Sequence, residues 1–278
     1  MSISITNPGH GSVFLLSDLI EIKGTANGGV TNIKLESPFG GKTYPLNQIP
    51  VNDDGTWGVS TFFNTGGDRT IVAKGFDDSD TQLGIEQVQI KLKSYTDLVS
   101  IRPLPVGFNA GLSSAKESTM LSILGKPCSP NPSVVCSTVN NTKLKTLLVT
   151  KNVGLFRVTG LIPAVDALER IFSKVKVQKP ILHAQLGTAG MLCCRFIKNT
   201  TKFSNHSWGT AIDIKISSDL DAVGDGKAQL GLVEIAPYFN AEEFFWGAGF
   251  SSLAREDSMH FEASEQLIQK WHQTGIIP

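Results

Sequence analysis

The chain has 278 residues, with 25 basic against 25 acidic side chains, 41% apolar and 18% charged. This is an ordinary globular composition, long enough for about one or two domains with real cores. It excludes extensive disorder, shows no run near the ~20 apolar residues of a membrane span, and its zero balance gives no reason for a nucleic-acid or anionic-membrane partner.

At the N-terminus, Met1–Thr6 has no basic n-region, and Val13-Phe14-Leu15-Leu16 is cut short by Ser17 and Asp18. The expectation is therefore a chain made in a cytoplasm without a secretory signal. Residues 1–94 alternate short apolar-polar runs, at Ile3–Thr6, Leu19–Ile22, Thr31–Leu35, Trp57–Phe62, Thr70–Ala73 and Gln87–Leu92. Turn clusters such as Asn27-Gly28-Gly29 and Asp53-Asp54-Gly55 separate them. Short strands at this spacing predict a β-sandwich. Ile5-Thr6-Asn7-Pro8, Ile22-Lys23-Gly24-Thr25-Ala26 and Asp54-Gly55-Thr56-Trp57 resemble a bacterial immunoglobulin-like module. Such a module serves as a spacer or a docking domain, and fold alone does not choose between them.

Residues 95–111, with Pro103, Pro105 and Gly107, read as a linker. Beyond it, Ser114–Leu124 has helical spacing, with Ser113 or Ser114 as candidate cap. A second helix is predicted over Pro163–Val175, with Val165, Leu168, Ile171 and Phe172 on one stripe and Pro163 near the first turn. Thr210–Ile216 and Met259–Glu262 read as short strands. Cys128 and Cys136 flank a Pro-rich loop and could close a small ring. Without a signal peptide, reduced thiols are expected. The adjacent Cys193 and Cys194 lack zinc-ribbon or redox spacing and read as small buried thiols.

Of the five histidines, His10, His183 and His272 read as ordinary core or surface residues. His206 and His260 lie in denser polar-aromatic contexts. Gly209 lets the backbone bend after His206, and Asp213 then shares a strand face with Ala211. Bend plus strand can bring His206 and Asp213 to one point, and imidazole with carboxylate suits Zn2+. His260 supplies a third donor, leaving an open position of the catalytic kind. Asp257, three residues before His260, can sit near the metal as a general base, and Glu256, one residue away, faces elsewhere. Arg195 is the nearest upstream cation for an oxyanion. Ser204 could orient His206 or cap a turn. Trp208 and Trp246 could line a groove or pack in the core. Glu262 could hydrogen-bond a ligand, bind substrate or stand in solvent. No Gly-x-Ser-x-Gly elbow surrounds Ser204, which argues against serine nucleophile chemistry.

The pattern Ser204-x-His206-x-x-Gly209-x-Ala211-x-Asp213, followed by Phe245-Trp246-Gly247 and Asp257-x-x-His260, resembles the M15 zinc peptidases. That family includes D-alanyl-D-alanine carboxypeptidases and dipeptidases and phage L-alanyl-D-glutamate endopeptidases. The resemblance implies His206, Asp213 and His260 as zinc ligands and Asp257 as base, where many relatives carry Glu. The expected fold class is thus multidomain. An N-terminal all-β immunoglobulin-like sandwich (1–94) and a linker (95–111) precede an α+β M15-type zinc peptidase domain (112–278). The resemblance also implies peptidoglycan stem peptides as substrate, cut by a carboxypeptidase or an endopeptidase. With no export signal, the expectation is a phage lysin or a cargo or tip component of a contractile injection system. Its N-terminal domain would then meet a phage-tail or injection-machine protein, and the enzyme would act on the bacterial wall in the periplasm. A catalytically silent wall-binding or structural module with a retained zinc site is the alternative.

Overall fold

A computed structural model describes residues 3–16 and 18–278. Met1, Ser2 and Ser17, which entered the reading of the N-terminus, lie outside the described residues. The chain divides into two compact units, Met1–Ser94 and Tyr95–Pro278.

Among the described residues, the first unit holds eight strands: β1 (Ile3–Asn7), β2 (Ser12–Leu15), β3 (Ile20–Ala26), β4 (Asn32–Phe39), β5 (Lys42–Pro50), β6 (Thr56–Thr61), β7 (Gly67–Phe76) and β8 (Gln82–Lys93). They form a three-stranded sheet, β1-β3-β6, and a five-stranded sheet, β2-β8-β7-β4-β5. Alternation decides which side chains go inward. Ile20, Ile22 and Trp57 from the smaller sheet meet Ile33, Leu35, Ile71 and Ile90 from the larger one in a single apolar core. Fully burying each such side chain stabilises by roughly 1.5–3 kcal/mol. Two strands escape the alternation rule. β5 carries Pro45 and Pro50 and is mostly exposed, and it lies at a sheet edge, where proline removes no needed ladder bond. β2 is four residues, Val13 exposed and the rest half-buried, pairing in parallel with β8.

The second unit contains β9 (Leu98–Ser100), α1 (Glu117–Leu124), α2 (Thr142–Thr146), β10 (Leu148–Asn152), β11 (Arg157–Leu161), α3 (Ile162–Gln178), α4 (Pro180–His183), β12 (Leu186–Gly190), β13 (Ala211–Ile216), β14 (Lys227–Gln229), α5 (Leu230–Ala241), β15 (Phe244–Trp246), β16 (His260–Ala263) and α6 (Glu265–Gln273). Its centre is the antiparallel sheet β12-β13-β16-β15. The α3 stripe of Val165, Leu168, Ile171 and Phe172 is wholly buried. Phe172 meets Phe239 of α5 edge-on, and Phe239 stacks on Phe261 of β16 with centroids 4.0 Å apart. The helices therefore cover one face of the sheet. By the period of two, His260 and Glu262 flank Phe261 on the opposite face.

Three expectations need correction here. Residues 95–111 are no free linker: Tyr95 and Ile101 are fully buried, and β9 pairs with β14. Neither Ser113 nor Ser114 caps α1, which starts after Lys116 without a side-chain cap, while Ser114 bridges to Ser264. The cysteines are not thiols. Cys128 bonds Cys194 and Cys136 bonds Cys193, with Cα atoms 6.6 and 5.2 Å apart. The ring between Cys128 and Cys136 does not form, because the adjacent Cys193 and Cys194 take one partner each.

The bonds close separations of 66 and 57 residues, so each contributes about 4 kcal/mol in the chain-entropy description. Non-reducing peptide mapping should recover these two linked peptides, and reduction should lower the thermal midpoint of the second unit. A Cys128–Cys136 peptide would contradict the pairing.

Candidate metal centre

His206 sits in a 3-10 turn, Asn205–Trp208, which Gly209 ends in the left-handed region at φ 67°. A Cβ on Gly209 would lie 2.7 Å from the Cα of Gly160, so the turn needs glycine for both its conformation and its close neighbour. β13 follows at once. Its Asp213 is the direct antiparallel partner of His260 on β16. Directly opposed residues put their side chains on one face, within about 5 Å at Cβ. The turn then folds His206 over this pair. β16 is itself approached closely by Gly247, where a Cβ would lie 2.5 Å from the Asp257 carbonyl oxygen and 3.0 Å from the His260 Cβ.

Three donor atoms converge. His206 Nε2 is 3.2 Å from Asp213 Oδ1 and 3.2 Å from His260 Nδ1, and His260 Nδ1 is 3.1 Å from Asp213 Oδ1. The outer nitrogen of each ring is committed. His206 Nδ1 donates to the Met191 carbonyl at 2.8 Å, and His260 Nε2 donates to Glu262 Oε2 at 2.8 Å. With a metal bound, each ring would turn a lone pair inward, in the tautomer set by its outer partner. Two imidazole nitrogens and a carboxylate oxygen converge on one point, an arrangement that calls for a positive charge among them, a proton or a metal ion. Three donors ~2.0–2.1 Å from one tetrahedral zinc stand roughly 3.3 Å apart, close to the observed triangle. The residues present fit zinc.

The electrostatics point the same way. Burial works against charge on His260, but Asp213 and Glu262 hold its pKa well above the ordinary imidazole value. Burial also opposes the Asp213 carboxylate, and His206 with His260 draws it well below the usual range. Glu262 is 2% exposed, so the solvated reading of this residue fails. Its Oε2 also accepts Asn205 Nδ2 at 2.9 Å, and its Oε1 accepts the Ala115 amide at 3.2 Å. Burial pushes its carboxyl up, yet His260 holds it below the ordinary value.

A cleft of about 1010 Å³ opens onto this face and is lined by Asp213, His260, Glu262, Ser204, Asp257 and Arg195, among others. Burial raises the Asp257 pKa, with Asp213 and Glu256 adding to the rise, and its Oδ1 is buried without a hydrogen-bond partner. Glu256 faces elsewhere, accepting Ser258 Oγ at 2.5 Å and the Gly226 amide at 3.2 Å. The Arg195 backbone is clamped to the histidine turn. Its amide donates to Ser207 Oγ at 3.1 Å, and its carbonyl accepts the Ser204 amide at 3.0 Å. Ser204 makes no side-chain cap to the turn. Neither tryptophan lines the cleft: both are fully buried, Trp208 donating to the Gly125 carbonyl and Trp246 to that of Ser258.

Sequence reasoning passed over Asn205, Ser207 and the Met191 carbonyl. Asn205 and Ser207 stand inside the motif and were signalled by it. A backbone acceptor leaves no mark in side-chain identity.

The family model described as D-alanyl-D-alanine carboxypeptidase, of the M15 peptidases, matches residues 198–263, the stretch that carries all three donors. No curated protein matches the chain. Among solved structures, the fibronectin(III)-like modules of Clostridium thermocellum CbhA are 16% identical, covering 33% of this chain and 95% of theirs, at a TM-score of 0.26. The endo-beta-1,4-mannanase from Thermotoga petrophila is 14% identical over 34% of this chain and 20% of its own, at a TM-score of 0.27. A putative membrane anchored protein from Corynebacterium diphtheriae is 19% identical over 48% and 28%, at a TM-score of 0.29.

Replacing Glu262 by Gln keeps the shape but weakens the acceptor behind His260. Zinc affinity, read by competition with a chromophoric chelator, should fall about 10–100-fold. Unchanged affinity would mean that Glu262 does not support the ligand. A second buried acid lies behind the Asp257 turn. Burial pushes Asp221 from 3.8 up to about 7, with Asp225 and Glu256 adding, and its Oδ2 has no partner. A carboxyl with a raised folded pKa binds more protons folded than unfolded, so stability falls as pH rises from about 4 to 7. Asp221→Asn should remove that slope and raise stability at pH 8 by on the order of 1 kcal/mol. Parallel Tm-versus-pH curves for variant and parent would refute this.

Proposed function

We propose that the second unit is a zinc-dependent peptidase that hydrolyses the peptide stem of bacterial peptidoglycan. The carrying observation is the triangle of inward-facing donors at 3.1–3.2 Å, set in a cleft with an acid and an arginine on its wall. The M15 match over 198–263 supports the peptidase class. His206, Asp213 and His260 would hold the metal. Zinc in a three-donor site supplies a Lewis acid and lowers the pKa of water toward ~7.

The chain's own residues supply the rest. Asp257, its pKa raised and one oxygen unpartnered, accepts a proton from the attacking water and passes it to the leaving amine nitrogen. Arg195 stabilises the negative charge that develops on the scissile carbonyl oxygen. Glu262 and the Met191 carbonyl keep both imidazoles in the tautomer that offers a lone pair. Two disulfides suit an oxidising compartment outside the cytoplasm, where the wall lies. Among the described residues, no helix is long and apolar enough to cross a membrane.

Purified muropeptides incubated with the protein and followed by mass spectrometry test this reading. Chelator-sensitive loss of a terminal D-alanine would identify a carboxypeptidase, and release of the stem beyond L-alanine an endopeptidase. Asp257→Asn should retain zinc while losing about 10²–10⁴ in turnover. No mass change with zinc bound would move the assignment to a binding module.

A further inference from the structure

The zero net charge of the chain conceals a local excess of one sign. The cleft wall carries Lys116, Arg195, Lys198, Lys202 and Arg255. Among the described residues, none of these five forms an ion pair. Three of the four acids on the same wall are occupied. Asp213 and Glu262 are taken up by the histidines, and Glu117 accepts the Phe203 amide at 2.7 Å. Asp257 stands beside the metal donors as the proposed base.

Two of the cations are presented on a rigid device. The segment 196–203 is a tight hairpin, bridged between Phe196 and Phe203, with the Ile197 amide bonded to the Lys202 carbonyl at 2.8 Å. The rings of Phe196 and Phe203 pack 5.0 Å apart beneath it. Thr200 Oγ1 donates to the Ile197 carbonyl at 2.9 Å and accepts the Lys202 amide at 3.2 Å. Glu117 ties the hairpin to the start of α1, next to Lys116. Lys116, Lys198 and Lys202 thus stand on fixed backbone at one side of the cleft. Unpaired cations beside a peptide-sized cleft match a ligand whose own groups are anionic, and charge-assisted bonds to carboxylates are the strong ones.

We propose that Lys198 and Lys202 of the 196–203 hairpin, with Lys116, form a carboxylate-recognition subsite that selects stem peptides with free side carboxyls over their carboxamide counterparts. The proposal rests on the peptidase reading and names the substrate class of the same cleft.

The test uses the full chain loaded with zinc and two synthetic stem pentapeptides, one with its side carboxyls free and one with them converted to carboxamides. Calorimetry on Asp257→Asn, which holds peptide without turning it over, should give at least about 10-fold tighter binding of the free-carboxyl peptide. In the added double variant Lys198→Gln/Lys202→Gln the ratio should fall toward one, and Lys198→Arg/Lys202→Arg should restore it. All three lysines are exposed, so the variants should melt with the parent. Equal affinities in the parent, or an unchanged ratio in the Gln variants, would overturn the subsite. Discrimination in binding without turnover by the wild-type chain would sink the peptidase reading and leave the subsite standing. Turnover of both peptides at equal kcat/KM would do the reverse.

Discussion

The second unit depends on one electrostatic constraint. Two imidazole nitrogens and a carboxylate oxygen face one another at 3.1–3.2 Å, with the outer nitrogen of each ring already used. Three acceptors at that spacing repel unless a positive charge sits among them. The surrounding structure prevents the relief of letting them rotate apart. The Met191 carbonyl pins one ring and Glu262 the other, while Asn205 and the Ala115 amide pin Glu262. The strand register that opposes Asp213 to His260 is held from behind by Phe261 stacked on Phe239. A one-residue slip of β16 would turn His260 into the helix layer and place Phe261 in the cleft.

The same logic explains the disulfides. Arg195 sits on a loop without regular structure, and in its proposed role its charge would be useful only at a fixed distance from the metal donors. Ser204 and Ser207 clamp its backbone to the histidine turn, and the two preceding residues are bonded covalently to Cys194's and Cys193's partners, Cys128 and Cys136. A loop held from both sides behaves as scaffold. This is how an irregular segment can carry a group that must be placed within about half an ångström.

The legible parts of the chain are those written as side-chain periodicity or as local motif. The alternation of Ile20 and Ile22 places β3, the stripe from Val165 to Phe172 places α3, and His206, Asp213, Asp257 and His260 stand out as chemistry-bearing residues in a short pattern. What was not legible depended on partners far away in sequence. β5 carries proline and little apolar alternation because an edge strand requires neither. The segment 95–111 looks like a linker because proline and glycine punctuate it, yet β14, more than 120 residues later, supplies its ladder. The cysteine pairing needed 128–136 beside 193–194, a juxtaposition no spacing rule encodes. Trp208 and Trp246 went to the core because each indole N–H finds a carbonyl there, at Gly125 and Ser258.

The buried oxygen of Asp257 supports the proposed peptidase over a silent zinc site. An unpartnered buried acceptor costs about 1–3 kcal/mol, and a nearby Asp213 and Glu256 add repulsion. A module that only bound metal would be more stable with Asn, Ser or a small apolar residue at this position, since none of the three donors needs the Asp257 carboxylate as partner. Glu262 shows what a purely supporting acid looks like here: fully bonded, drawn below its ordinary pKa and matched to a ring nitrogen. Asp257 differs: burial raises its pKa, its Oδ1 has no hydrogen-bond partner, and it is set on the wall of the cleft that opens at the metal donors. In the proposed mechanism these two acids, with opposite shifts, would take opposite tasks: Glu262 holding a ligand and Asp257 exchanging a proton.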